Sequence, residues 1–211
     1  MKRVVVLISG QGRNLQALIE AQQKNILGAT IVAAISNRAD AQGLERARAA
    51  NIPVEVVPHI AYAERAAFDE ELAQAIERHA PDIIVMAGFM RVVGDAFIRR
   101  FRGRLLNIHP SLLPKYPGLN THQRVLDAGD AEHGATVHFV TEELDGGPAL
   151  IQGRLSVQAQ DTVQTLAERV MLEIETKIYP QAIAWLARGQ INWGQTPIKM
   201  RGLQDLEPEF R

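Results

Sequence analysis

An amide, an imidazole and a carboxylate stand at positions where one site can use all three. Asn107 and His109 lie in the run Asn107-Ile108-His109-Pro110-Ser111-Leu112-Leu113-Pro114, and Asp145 lies downstream in Glu143-Leu144-Asp145-Gly146-Gly147. These residue types suit transfer of an acyl group between two nitrogens through a tetrahedral intermediate. Asn107 can donate an N–H to the developing oxyanion, and His109 can donate or shuttle a proton near the reacting carbon. Asp145 can orient the imidazole or accept a proton through water. The same three residues also read as a strand end, a turn cap and an Asp-Gly turn, and pattern alone leaves both readings open. Ser111 beside His109 lacks the Gly-x-Ser-x-Gly elbow of a serine nucleophile. His109, His122, His133 and His138 show no short metal-ligand spacing, and the chain has no cysteine, so no metal is expected.

A second stretch suits an anion. The β-branched run Val4 to Ile8 leads into Ser9-Gly10-Gln11-Gly12-Arg13-Asn14, after which Leu15, Leu18 and Ile19 recur at helical spacing through Gln23. A strand, a glycine turn and a helix aim backbone N–H groups and the positive end of the helix dipole at one point. The turn lacks the third glycine of a dinucleotide fingerprint and the Gly-Lys-Ser/Thr of a P-loop. A tight turn with no ligand is the plain alternative, and Arg13 at the helix mouth tilts the balance toward a phosphate or carboxylate.

Both stretches need strand ends to carry them. Strands are expected at Thr30 to Ser36, Val54 to Val57, Asp82 to Gly88 and Arg104 to His109. Helices are expected at Asp40 to Ala50, with Asp40 as N-cap, at Ala61 to His79, and in a short piece ending at Phe101. This alternation implies a single α/β domain with a mostly parallel twisted sheet and helices on both faces. Ligands would sit beyond the carboxyl ends of its strands. Pro110, Pro114 and Pro117 force an extended loop, followed by a helix over Thr121 to Ala128. The strand Gly134 to Val140 places Thr136 and His138 on one face. Gly146-Gly147-Pro148 then turns into the antiparallel addition Ala149 to Gln152. A long helix opens at Asp161-Thr162 and runs through Leu186 with a kink at Pro180. The tail after Gly189 reads as a strand plus a loose terminus, and His59 and His79 read as surface residues.

Composition narrows the function classes. The chain has 211 residues, 46% hydrophobic and 22% charged, which fits one well-buried soluble domain. A net charge of -1 argues against an electrostatic grip on nucleic acid. The apolar run after Met1-Lys2-Arg3 is too short for a secretion signal, so a cytoplasmic protein without membrane contact is expected.

The residues as a set resemble the folate-dependent phosphoribosylglycinamide formyltransferases of purine biosynthesis, nearly end to end. The resemblance is carried by Asn107 to Gly118, His133-Gly134, Leu144 to Pro148, Ser9 to Leu15, Ser36-Asn37, Gly43 to Ala47 and Ala87 to Arg91. It implies a Rossmann-like formyltransferase fold with 10-formyltetrahydrofolate as co-substrate and 5-phosphoribosylglycinamide as acceptor. Asn107, His109 and Asp145 would be catalytic. Gly12, Arg13 and Asn14 would hold the phosphate, and Glu175 the ribose hydroxyls. Folate would lie against Met90, Arg91, Val93, Asn107 and the loop from Val140 to Asp145, with Arg65 near its glutamate tail. The halves would divide as 1–100 for phosphate, 101–190 for catalysis and folate, and 191–211 as a tail, in a monomer or homodimer. The family pattern is broken at Arg13, where serine is common, and at Asn120 and Thr176, where histidine is common. The segment between Arg169 and Ile178 is also one residue longer than usual. A formyltransferase for another amine, a formyltetrahydrofolate hydrolase and a non-catalytic folate- or phosphate-binding module remain the alternatives.

Overall fold

The computed structural model of the chain describes residues 1–194 and 200–211. The run Val4 to Ile8 forms most of β1 (Lys2–Ile8), and all five residues are fully buried. Their side chains divide by strand periodicity. Val4, Val6 and Ile8 join one core, while Val5 and Leu7 join the other. The chain continues through α1 (Arg13–Gln23), β2 (Ala29–Ser36), α2 (Gln42–Ala49), β3 (Val54–Val56), α3 (Arg65–Arg78), β4 (Ile83–Met86), α4 (Asp95–Arg100) and β5 (Leu105–His109). It then forms α5 (Thr121–Ala128), β6 (Glu132–Phe139), β7 (Ala149–Ser156), α6 (Val163–Arg169), a π-helical turn (Val170–Glu175) and α7 (Thr176–Ala187).

The described residues form one sheet in the order β3-β2-β1-β4-β5-β6-β7. Strands β1 to β5 pair in parallel, and β6 and β7 add antiparallel. Phe68, Leu72 and Ile76 of α3 cover one face with Phe97 and Ile98 of α4. Leu15 and Leu18 of α1, Leu44 of α2, Leu166 of α6 and Ile178 to Trp185 of α7 pack on the other. The α/β sheet with helices on both faces and an antiparallel C-terminal half is therefore present as expected. Strand order reverses between β1 and β4, so their carboxyl ends open a crevice.

Several local expectations are corrected. Asp40 does not cap α2, which starts at Gln42 with Ala41 at its N-cap and no side-chain acceptor. Asp40 instead takes both ends of the Arg38 guanidinium, at 2.9 and 2.7 Å. The Gly43 N–H in the first turn of α2 donates to Gly10 O, at 3.0 Å. Helix α3 begins at Arg65, after a 3-10 turn over His59–Ala61. Neither His59 nor His79 is a free surface residue: His59 Nδ1 lies 3.0 Å from Asn37 O, and His79 Nε2 lies 2.6 Å from Glu55.

The long C-terminal helix breaks from α geometry before Pro180, at the π turn, while Pro180 lies inside α7. Near the start of α7, the missing proline N–H costs one bond to the first-turn carbonyl. A π turn takes up one residue more than an α turn, and it spans Val170–Glu175, inside the segment between Arg169 and Ile178. The helix N-cap is Thr162, whose hydroxyl accepts from Thr165 N at 3.2 Å. Part of the expected tail strand falls on residues 195–199, outside the described residues. Beyond them the tail is docked. Arg201 exchanges backbone bonds of 2.9 and 3.0 Å with β7 and stacks 4.1 Å over Trp185, and Leu206 and Phe210 are buried.

Tyr179 ties α7 to the crevice strands, with its buried hydroxyl 2.9 Å from Met86 O and 3.2 Å from Leu106 O. Tyr179→Phe should lower unfolding free energy by about 1–2 kcal/mol in urea titrations, because a buried hydrogen bond is removed without a cavity. An unchanged midpoint would mean that this tie contributes nothing.

Candidate active site

The glycine turn after β1 is set by close packing. Gly12 has φ +69°, and a Cβ there would stand 2.6 Å from Gly43 Cα. A Cβ on Gly43 would in turn fall 2.6 Å from the Ile8 side chain. Gly12 caps α1 with no side-chain acceptor, which leaves first-turn N–H groups available to an anion. Arg13 stands half exposed at this mouth, 3.8 Å from Glu168. Asn14 points inward and donates Nδ2–H to Glu175 Oε2 at 2.7 Å.

Glu175, in the π turn, is buried, and burial pushes its carboxyl up to about 7 against the opposing pull of the Asn14 bond. Asn14 Oδ1 is buried and has no hydrogen-bond partner among the described residues. A buried carboxyl beside an unpartnered amide oxygen suits a pair of ligand hydroxyls. Asn14 and Glu175 are thus brought together across 161 residues of chain, and Gly12 and Arg13 directly precede Asn14.

The second cluster is built at the end of β5. Register places Asn107 opposite His138 and His109 opposite Thr136. His109 Nε2 lies 2.8 Å from Tyr116 O, so that nitrogen carries hydrogen. Nδ1, the other ring nitrogen, faces Asp145 Oδ2 at 3.4 Å. Asp145 has φ +53° and accepts from Gly118 N at 2.8 Å.

His138 was not among the expected site residues. Its Nδ1 faces Phe139 O at 2.9 Å, and burial pushes its pKa down. The neutral ring therefore offers Nε2 as an acceptor, 3.4 Å from Asn107 Nδ2 and 3.7 Å from Asp145 Oδ1. That contact orients the Asn107 amide, whose other N–H has no partner among the described residues. The alternation that put His138 on a face was visible in sequence, but its partner required the β5–β6 register.

The proline loop that carries Tyr116 is held from below. Thr136 Oγ1 donates to Ser111 O at 2.7 Å and accepts from Leu113 N, while Gln152 Nε2 reaches Leu113 O at 3.0 Å. Ser111 is fully buried and donates its hydroxyl to Lys115 O at 2.7 Å. It is a loop brace here. The Asp145 loop returns to β7 through Gly147, where a Cβ would stand 1.9 Å from Phe139 O.

The turn after β4 closes the crevice. Met90 N donates to Ser9 Oγ at 2.8 Å, and that hydroxyl donates to Asn37 Oδ1 at 2.6 Å. Ser9 and Asn37, both buried, form a bridge between strand ends that residue types alone did not assign. Met90 and Val92 are exposed, Val93 is buried and Val140 is half buried. Arg91 lies 5.9 Å over the Phe68 ring. Arg65 is exposed, and both arginines lie close enough to Asp69 to favour its charge, although burial still pushes its carboxyl up. Asp69 in turn accepts from Gly94 N at 2.7 Å.

His122 and His133 form a separate contact at 2.9 Å, with burial pushing His133 down to about 4. Asn120 has φ +58° at the start of α5 and caps it with no side-chain bond. Among the described residues, no group of three or more His, Asp or Glu side chains converges as a metal site.

Residues 2–183 match the model of the formyl transferase family. The chain is 49% identical over 206 residues to the phosphoribosylglycinamide formyltransferase of Escherichia coli (strain K12), covering 98% of this chain and 96% of that one. The solved phosphoribosylglycinamide formyltransferase from Coxiella burnetii is 52% identical with a TM-score of 0.86, over 91% of this chain and 90% of that one. Glycinamide ribonucleotide transformylase 1 from Symbiobacterium toebii gives a TM-score of 0.87 at 43% identity, over 90% and 89%.

The raised Glu175 carboxyl carries a stability signature. Folded protein holds a proton between the ordinary value near 4.5 and about 7 that the unfolded chain has released. Stability therefore falls as pH rises through that window. Glu175→Gln should flatten this slope, with a gain over wild type on the order of 3 kcal/mol at most above pH 8 and little gain at pH 4.5. Urea midpoints measured across that range check it; parallel wild-type and variant curves would contradict it.

Proposed function

The chain belongs to the formyl transferase family, and on that premise we propose its reaction and its site. It transfers the formyl group of 10-formyltetrahydrofolate to the amine of 5-phosphoribosylglycinamide, in de novo purine biosynthesis. The observation that carries the reading is the placement of two clusters on one sheet edge. Asn107, His109 and Asp145 meet at the end of β5, and an anion-suited helix mouth with Asn14 and Glu175 lies at the end of β1.

In this reading the phosphate lies on the first turn of α1, at Gly12, Arg13 and Asn14, and Glu175 accepts the ribose hydroxyls. Folate enters over Met90, Arg91, Val93 and Val140, with its glutamate tail toward Arg65. The amine attacks the formyl carbon, whose oxygen becomes an oxyanion. The free N–H of Asn107 and a proton on His109 Nδ1 stabilise that charge. Collapse breaks the bond to the folate nitrogen, and the proton lost by the amine returns to that nitrogen by way of Asp145 and His109. No covalent enzyme intermediate and no metal enter the scheme. His138 acts through Asn107, by holding its amide.

The protein works in the cytoplasm as a monomer or homodimer, and contacts neither nucleic acid nor membrane. No helix among the described residues is long and apolar enough to cross a membrane. The residues 1–100 carry phosphate binding, 101–190 catalysis and folate, and 191–211 a tail whose Arg201 packs on β7 and α7.

Asn107→Ala, His109→Ala and Asp145→Ala should each lower kcat by about 100-fold or more with melting temperatures near wild type. Steady-state assays of tetrahydrofolate release check this, and wild-type turnover in His109→Ala would refute the mechanism. A panel of sugar-nucleotide and tRNA amines should yield no product; turnover of one in preference to phosphoribosylglycinamide would reassign the substrate.

A further inference from the structure

Arg46 has no role in the scheme above, yet it touches the phosphate turn. It lies on α2, whose N-terminal turn packs glycine to glycine against Gly12. Its Nε donates to Gln11 O at 2.8 Å, and one η nitrogen lies 3.5 Å from Gln16 Oε1. Both partners are neutral oxygens. Glu45, its neighbour on the helix, is engaged by Arg48, and among the described residues no carboxylate pairs with Arg46.

The half-buried guanidinium lines a cleft of about 480 Å³ that also receives Arg13 from α1 and Lys177 from α7. Lys24 and Arg211 also line it, and Glu20 and Glu209 are the carboxylate side chains on its walls. A guanidinium that spends one N–H on a loop carbonyl keeps a fork of η N–H groups, which matches two phosphate oxygens. Among the described residues no ion pair neutralises its charge, and a dianion beside it would do so.

We propose that Arg46 is a specificity-determining residue for the substrate phosphate. Its Nε holds the Gly10-Gln11-Gly12 turn through Gln11 O, which keeps the guanidinium beside that turn with η N–H groups to offer the phosphate. Arg13 completes the cation pair. The inference rests on the reading of phosphoribosylglycinamide as acceptor, and adds the group that separates it from an unphosphorylated amine.

The test uses the full chain as wild type, Arg46→Met and Arg46→Lys, with melting curves recorded for each. Inorganic phosphate is titrated by calorimetry at low and high salt. The discrimination ratio, kcat/KM for phosphoribosylglycinamide over kcat/KM for its dephosphorylated ribonucleoside, is measured in parallel. Arg46→Met should weaken phosphate at least about tenfold and lower the ratio by a similar factor, and Arg46→Lys should lose less of both.

An equal loss on the two substrates with phosphate affinity unchanged would reduce Arg46 to a loop brace and overturn the proposal. So would a wild type that binds no phosphate. If Arg46→Met does not fold, Arg46→Lys decides, because a point charge in place of the fork must still lower phosphate affinity and the ratio. Phosphate binding reads no catalysis. A wild type that binds phosphate through Arg46 but forms no formylated product would therefore refute the reaction and leave the phosphate assignment standing.

Discussion

The Ser9 hydroxyl sits where the structure has least freedom. β1 and β4 are neighbours in the sheet, yet their following segments leave toward opposite halves of the molecule. A crevice at that point is unavoidable, and its walls are two turns with few backbone partners of their own. Ser9 accepts from Met90 N on one wall and donates to Asn37 on the other side, and Ser9 N reaches Gly88 O at 3.2 Å. One buried hydroxyl therefore sets the spacing between the glycine turn and the turn after β4. The proposed ribonucleotide and folate positions both depend on that spacing.

Burial of polar groups is concentrated around this crevice. Glu175, Asn14, His109, His138, Ser9 and Asn37 are all nearly inaccessible to solvent. Each costs desolvation energy that an apolar side chain would not. Most are compensated by short bonds to backbone or to one another, but Asn14 Oδ1 is not. The uncompensated oxygen and the proton held on Glu175 mark the place where a ligand with hydroxyl donors would complete the network. The π turn belongs to the same account. A helix wound regularly from Thr162 to Ala187 would rotate Glu175 relative to Ile178 and Tyr179, which pack on the sheet.

Much of the architecture was legible because strand burial writes itself into composition. Val4 to Ile8 and Ile83 to Met86 are apolar on both faces, and the helices between them carry single stripes, so a parallel sheet with two covered faces follows. Asn107, His109 and Asp145 could be named from residue type, and they do meet. The misses have a common origin. Asp40 looked like a cap, yet Arg38 two residues away engages it and Gly10 O takes the helix donor. Pro180 looked like the kink, yet the backbone deviates earlier, in the π turn over Val170–Glu175. His138 and the Ser9–Asn37 bridge act through cross-strand register, which no local pattern encodes. The tail lacks periodicity because single residues, Leu206 and Phe210, dock it.

The central claim is that the two clusters hold donor and acceptor together, so that the formyl carbon passes directly from one nitrogen to the other. Carbon-13 placed in the formyl group of 10-formyltetrahydrofolate can be followed by NMR with enzyme, with and without 5-phosphoribosylglycinamide. The account predicts that label appears only in the formamide of the acceptor, and that without acceptor the donor signal persists. Labelled formate accumulating at a comparable rate in either sample would contradict direct transfer and make the protein a hydrolase.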